Sequence, residues 1–209
     1  MKNLLLASLL FLSTAASADS LKDTLNRVEA EWAKIYYSLP KAAKSGAYAK
    51  LLEETANASR QYPKDMGLIF WQAVVKASHA DHQDPVSALQ SVHEVRSLLT
   101  KVITVDPKTV DGSAYVVLGT LYHKVPAWPV AFGDDIEAEK MLKMALTISP
   151  NGIDSNFYYG EFLIDKGQDK VAEAYFERAS SAPIRPEQIF ADSQLQNEAK
   201  QVLSKLRGR

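Results

Sequence analysis

The chain has 209 residues, 46% hydrophobic and 23% charged, with 24 Lys and Arg against 25 Asp and Glu. This is a globular balance, neither disordered nor collagenous, and a net charge of −1 gives no electrostatic reason to expect nucleic acid or an anionic membrane surface as partner. The absence of cysteine excludes disulfides, thiolate metal sites, thiol nucleophiles and a lipid-modified cysteine.

Residues 1–18 read as a secretory signal peptide. Lys2 supplies the positive start, Leu4 to Leu12 the apolar run, and Ala16-Ser17-Ala18 a small-x-small cleavage site. The run is too short to cross a bilayer, and no later stretch is apolar enough to try. The expected product is a single domain over 19–209, exported, periplasmic and soluble, without membrane insertion after cleavage.

From there the apolar spacing is helical nearly throughout. Nine helices are predicted, near 19–38, 46–61, 65–80, 85–104, 112–123, 135–148, 154–165, 169–181 and 186–206. Ala138, Met141, Leu142, Ala145 and Leu146 mark one stripe at spacings of three and four. Leu195, Ala199, Val202, Leu203 and Leu206 mark another. Pro40, Pro63, Pro107, Pro150 and Pro183 follow helical runs that they cannot continue, whereas Pro85 and Pro186 fall where a first turn tolerates proline.

The helices repeat. Twelve, sixteen and nineteen residues after Gly160 come Ala172, Phe176 and Ala179, with Gly167 in the turn between. These are the small, large and small packing positions of a tetratricopeptide (TPR) pair. Tyr115, Leu118, Gly119 and Tyr122, then Ala138, Leu142, Ala145 and Pro150, form a second unit. About seven residues are inserted between its helices. Val95, Leu99, Val102 and Pro107 keep the second-helix spacing upstream; Leu51, Thr55, Ala58 and Pro63 keep it more loosely. The fold class is therefore all-α, a TPR-like array of stacked helix pairs. Segment 186–206 is its C-terminal cap, with Gln188, Asp192, Gln196, Lys200 and Lys205 on a polar face.

The runs Tyr115-Val-Val-Leu-Gly-Thr-Leu-Tyr122, Lys124-Val-Pro-Ala-Trp-Pro-Val-Ala-Phe-Gly-Asp-Asp135 and Ala145-Leu-Thr-Ile-Ser-Pro150-Asn-Gly-Ile-Asp154-Ser-Asn-Phe-Tyr-Tyr159-Gly resemble the TatT component of TRAP transporters. The resemblance implies an exported, TPR-like, non-catalytic accessory of an uptake system that works with a solute-binding protein. Without a cysteine this chain departs from members tethered as lipoproteins.

Two groups are candidates for binding a partner or ligand. Within the inserted loop, Trp128 and Phe132 are large apolar side chains on a segment stiffened by Pro126 and Pro129. They either line a pocket or seal the core, and Asp134 is placed to cap the next helix. Tyr122, His123, Tyr158 and Tyr159 lie on first helices of their units, which line the concave face of such arrays. Their alternative is plain packing. His79, Asp81, His82 and Asp84, with His93 nearby, could suggest zinc, but His-x-x-His is not a good zinc pair on its own and no ordered downstream ligand is evident, so a solvated loop is expected and no metal or cofactor. No catalytic motif is found. Three functions remain, the last in order an enzyme that rests only on the histidine cluster and would need histidines converging with a carboxylate. A periplasmic accessory would hold a small organic ligand, or dock a solute-binding protein, and would have an internal apolar pocket near Trp128. A general envelope scaffold would bind other proteins on an open concave groove.

Overall fold

A computed structural model describes residues 20–208, so the signal-peptide segment 1–18 lies outside the described residues. The described chain is a succession of helices: α1 (Leu21–Ser38), α2 (Lys41–Gln61), α3 (Met66–Ala80), α4 (Pro85–Val105), α5 (Ser113–Lys124), α6 (Asp135–Ile148), α7 (Ile153–Asp165), α8 (Asp169–Ser181) and α9 (Ile189–Arg207). One 3-10 turn, Thr109–Gly112, precedes α5. Several helix starts follow from side chains that satisfy the free N–H groups of a first turn. The Asp65 carboxylate accepts from Leu68 N at 2.8 Å. Asp84 accepts from Val86 N and Ser87 N at 3.1 and 3.2 Å, with Pro85 at the tolerated first position.

Consecutive helices pack as antiparallel pairs, and the crossing points are where the repeat spacing placed small residues. Ala172, Phe176 and Ala179 are fully buried. A Cβ on Gly160 would stand 2.9 Å from the Phe176 ring, and one on Gly119 would stand 2.8 Å from Leu142 Cγ. Only glycine lets these pairs close to van der Waals contact.

Four details depart from the sequence reading. Helix α2 starts at Lys41, not near 46, because Pro40 itself serves as its N-cap and Gly46 is a solvent-facing interior position with open space around it. Helix α9 starts at Ile189, so Pro186 precedes the helix and does not sit in its first turn. Asp192, assigned to the polar face of the cap, is 1% exposed, because Arg185 folds back onto it. Finally, α9 is not an open end. It packs on α8, touches α7, and also meets α1, where Tyr37 and Phe190 pack edge to face with centroids 6.0 Å apart. The array thus curls until its first and last described helices touch.

Candidate functional site

That contact helps to wall a half-open cavity of about 300 Å³, lined by the inner helices α1, α3, α5, α7 and α9. Helix α1 contributes Trp32, Tyr36 and Tyr37, α3 contributes Phe70, Trp71 and Val74, α5 contributes Val116, Val117 and Leu121, and α7 contributes Tyr158. One turn apart on α1, Trp32 and Tyr36 stack at 5.3 Å. Tyr37 meets Tyr36 edge-on at 4.8 Å, and Trp71 leans on Trp32 at 5.6 Å. The Trp32 indole is fixed by donating from Nε1 to Ser78 Oγ at 2.9 Å. Tyr36 is 39% exposed, yet partial burial raises its phenol pKa.

The polar end of the cavity is built around Arg185. Its guanidinium donates to Asp192 through Nε and Nη2 at 3.1 and 2.6 Å and to Asp154 through Nη1 at 3.4 Å, with Nη2 in ion-pair contact with Asp154 at 3.2 Å. Its backbone N–H also donates to Asp192, at 2.8 Å. Burial works against the guanidinium charge, but the two carboxylates outweigh it and raise the pKa. Ser113, the first residue of α5, donates to Asp154 at 2.6 Å. Ser113 is delivered by a sharp reversal in which Val110, Asp111 and Gly112 all have positive φ, 48°, 53° and 80°. A β-branched residue in that region is strained, and Val110 is one of the residues lining the cavity. A second space, about 450 Å³, shares Tyr36, Tyr37, Ser78 and Asp81 with the first and adds Lys41, Lys44, His82 and Glu198. Together the rings can cover an apolar body while the polar end meets hydrogen-bonding groups.

Of the residues singled out in the sequence, Tyr158 and Asp81 lie on the cavity wall and His82 lines the second space. The others are elsewhere. Trp128 is 85% exposed on the inserted loop, preceding a cis Pro129. Phe132 turns inward, edge-on to Tyr122 at 5.5 Å and His93 at 5.1 Å, with the Arg96 guanidinium 4.8 Å from its ring centre. The loop is tied off by Gly133 N to Pro126 O at 2.8 Å and Asp134 N to Tyr122 O at 2.9 Å. Gly133 is required there, since a Cβ would fall 2.1 Å from Val125 O. Asp134 caps α6, accepting from Ile136 N and Glu137 N at 2.8 and 3.2 Å. His123 places Nδ1 2.6 Å from Asp135 and Nε2 3.0 Å from Asp165. Tyr159 is 5% exposed, stacked along Phe162 and edge-on to Tyr175. His79 pairs with Ser45 and Gln83, and His82 stacks on Tyr48. Among the described residues no group of three or more metal-ligating side chains converges.

The sequence reading missed Trp32, Tyr36, Tyr37, Trp71 and the Arg185 cluster. A signal was available: three aromatics at spacings of four and one on α1 exceed what a single packing stripe needs.

Among the described residues no helix is long and apolar enough to cross a membrane. No curated protein sequence matches the chain. Among solved structures, the thermophilic TPR protein TTC0263 of Thermus thermophilus is 19% identical, with 87% of this chain and 89% of that one covered at a TM-score of 0.56. MamA MSR-1 C2 is 17% identical, with 88% and 95% covered at a TM-score of 0.43. The first likeness shows the fold, four stacked helix pairs and a closing helix. The family model described as TRAP transporter T-component matches residues 26–207, nearly the whole helical array. That span takes in the rings of α1, the inserted loop and the Arg185 cluster together, and the chain belongs to the TRAP transporter T-component family.

Proposed function

We propose that the protein is an exported, non-catalytic accessory of a solute uptake system that holds a small organic ligand in its central cavity. The observation that carries this reading is the closure of α1 against α9 around a space walled by Trp32, Tyr36, Tyr37, Trp71 and Tyr158. A cavity of about 300 Å³ sits at the small end of ligand pockets, and its mainly apolar wall with a few convergent polar groups fits that use.

The test is native mass spectrometry of the mature protein purified from its host, beside Thr120→Trp and Ala77→Phe variants that fill the cavity. A bound species in the parent that is missing from both folded variants is the expected result. A parent that is empty, or a bound species retained when the cavity is filled, overturns the reading.

A second role rests on a different observation. Trp128, with Val130 at 58% exposed, presents apolar surface on a loop held shut by backbone hydrogen bonds. Rigid exposed tryptophan is a common anchor in protein interfaces, and this loop is the surface offered to a solute-binding protein. Trp128→Ala should abolish capture of that protein while leaving cavity contents unchanged; capture at parental strength would refute the role.

A further inference from the structure

The cavity's charges decide what kind of ligand it takes. Two cationic side chains line it, Lys124 and Arg185. Both already have carboxylate partners. The Lys124 ammonium is paired with Asp165 at 2.6 Å. The Arg185 guanidinium is directed at Asp154 and Asp192 through all three of its nitrogens, so one positive charge is shared between two carboxylates. Asp81, also on the wall and at the junction with the second space, adds another carboxylate. Further out, Lys41, Lys44 and Glu198 line that second space, so the unbalanced carboxylates are those of the first.

The surrounding rings register this field. Burial raises the phenol of Tyr37, and Glu198, Asp154 and Asp192 add to the rise. Tyr36 is raised by burial and then by Glu198, Glu161 and Asp81. Glu198 and Glu161 are themselves held above the usual carboxylate range by burial. Within the first space the carboxylates of Asp81, Asp154 and Asp192 outnumber the Arg185 guanidinium, and Lys124 is paired with Asp165, so an anion meets repulsion there whereas a cation relieves it. The rings add attraction of the same sign, because the faces of Trp and Tyr carry negative potential. One such contact already exists within the chain. The Lys44 ammonium lies 5.4 Å from the centre of the Tyr36 ring and donates to the Tyr36 carbonyl at 2.6 Å.

We infer that the ligand held in this cavity is an organic cation, an amine or quaternary ammonium with an apolar body, seated against Trp32, Tyr36 and Tyr37 with Asp81 as a counter-charge. The inference rests on the ligand-holding reading above and narrows it.

The test compares three molecules of nearly one shape: choline, the neutral 3,3-dimethylbutan-1-ol and the anionic 3,3-dimethylbutanoate. Binding to the mature protein is measured by calorimetry and by ligand-observed NMR. Choline should bind at least about tenfold more tightly than the alcohol, and the carboxylate weakest of the three. Tyr36→Leu and Asp81→Asn, both at exposed positions that leave the core intact, should each weaken choline by about fivefold and change the alcohol by less than about twofold. The inference is overturned if the alcohol or the carboxylate binds as tightly as choline. Loss of such unselective binding in Thr120→Trp would leave the ligand-holding reading in place. Choline binding that survives Thr120→Trp also overturns it, by locating the site elsewhere. If none of the three binds, the cation assignment falls and the co-purification experiment alone decides the broader reading.

Discussion

Replacing Glu29 by Gln should stabilise the protein, and only at neutral to alkaline pH. Glu29 is on α1 with 6% of its surface exposed, facing the cluster formed by Arg185 and Asp192. Burial, and then the Asp192 charge, push its pKa from 4.5 up to about 7, more than Arg185 can offset. Each pKa unit is worth about 1.4 kcal/mol, so the rise from 4.5 to about 7 corresponds to at most roughly 3 kcal/mol. Local relaxation reduces this to about 1–3 kcal/mol. The folded state holds the proton more tightly than the unfolded one, so stability from this group is complete below pH 4.5 and falls until about pH 7, where the folded carboxyl ionises. Glutamine mimics the protonated acid at every pH. Urea unfolding at pH 4.5 and pH 8 should therefore show Glu29→Gln within about 0.5 kcal/mol of the parent at the lower pH and about 1–3 kcal/mol more stable at the higher. A variant destabilised equally at both pH values would refute the reasoning, since Glu29 would then be ionised and stabilising in the folded state.

Removing Arg185 should have the opposite sign. Asp192 is 1% exposed and depends on the guanidinium, so Arg185→Leu should cost about 3–5 kcal/mol in urea unfolding, and adding Asp192→Asn should restore at least about half. Two glycine substitutions separate packing from helix propensity. Gly160→Ala puts a methyl 2.9 Å from Phe176 and should lose about 1–2 kcal/mol, while Gly46→Ala, with nothing within 4 Å, should gain about 0.5–1 kcal/mol, both read from thermal melts.

Local and periodic features were legible in the sequence. Ala172, Phe176 and Ala179 are all fully buried because a helix pair must bury one face, and that requirement is written at fixed spacing. The inserted loop was legible as a break in that spacing, and Asp134 as its closing cap. The cavity was not, because it depends on α1 and α9 meeting from opposite ends of the array, and pairwise spacing carries no measure of accumulated curvature. Trp32, Tyr36 and Tyr37 accordingly drew no notice in the sequence. Asp192 read as polar surface because its partner, Arg185, lies outside the helix, seven residues earlier, and no helical spacing links them. The start of α2 was misplaced because Gly46 and Pro40 each carry a breaker signal, and only the three-dimensional setting shows that neither breaks a helix that has already begun at Lys41.

The contact between α1 and α9 also sets the number of helix pairs. An open solenoid tolerates gain or loss of one unit, because each unit touches only its neighbours. Here an added pair would push α9 past α1, and a missing pair would leave a gap where Tyr37 meets Phe190. In either case the half-open cavity would widen. Repeat proteins usually vary by counting; here the contact between the two end helices works against a change of count.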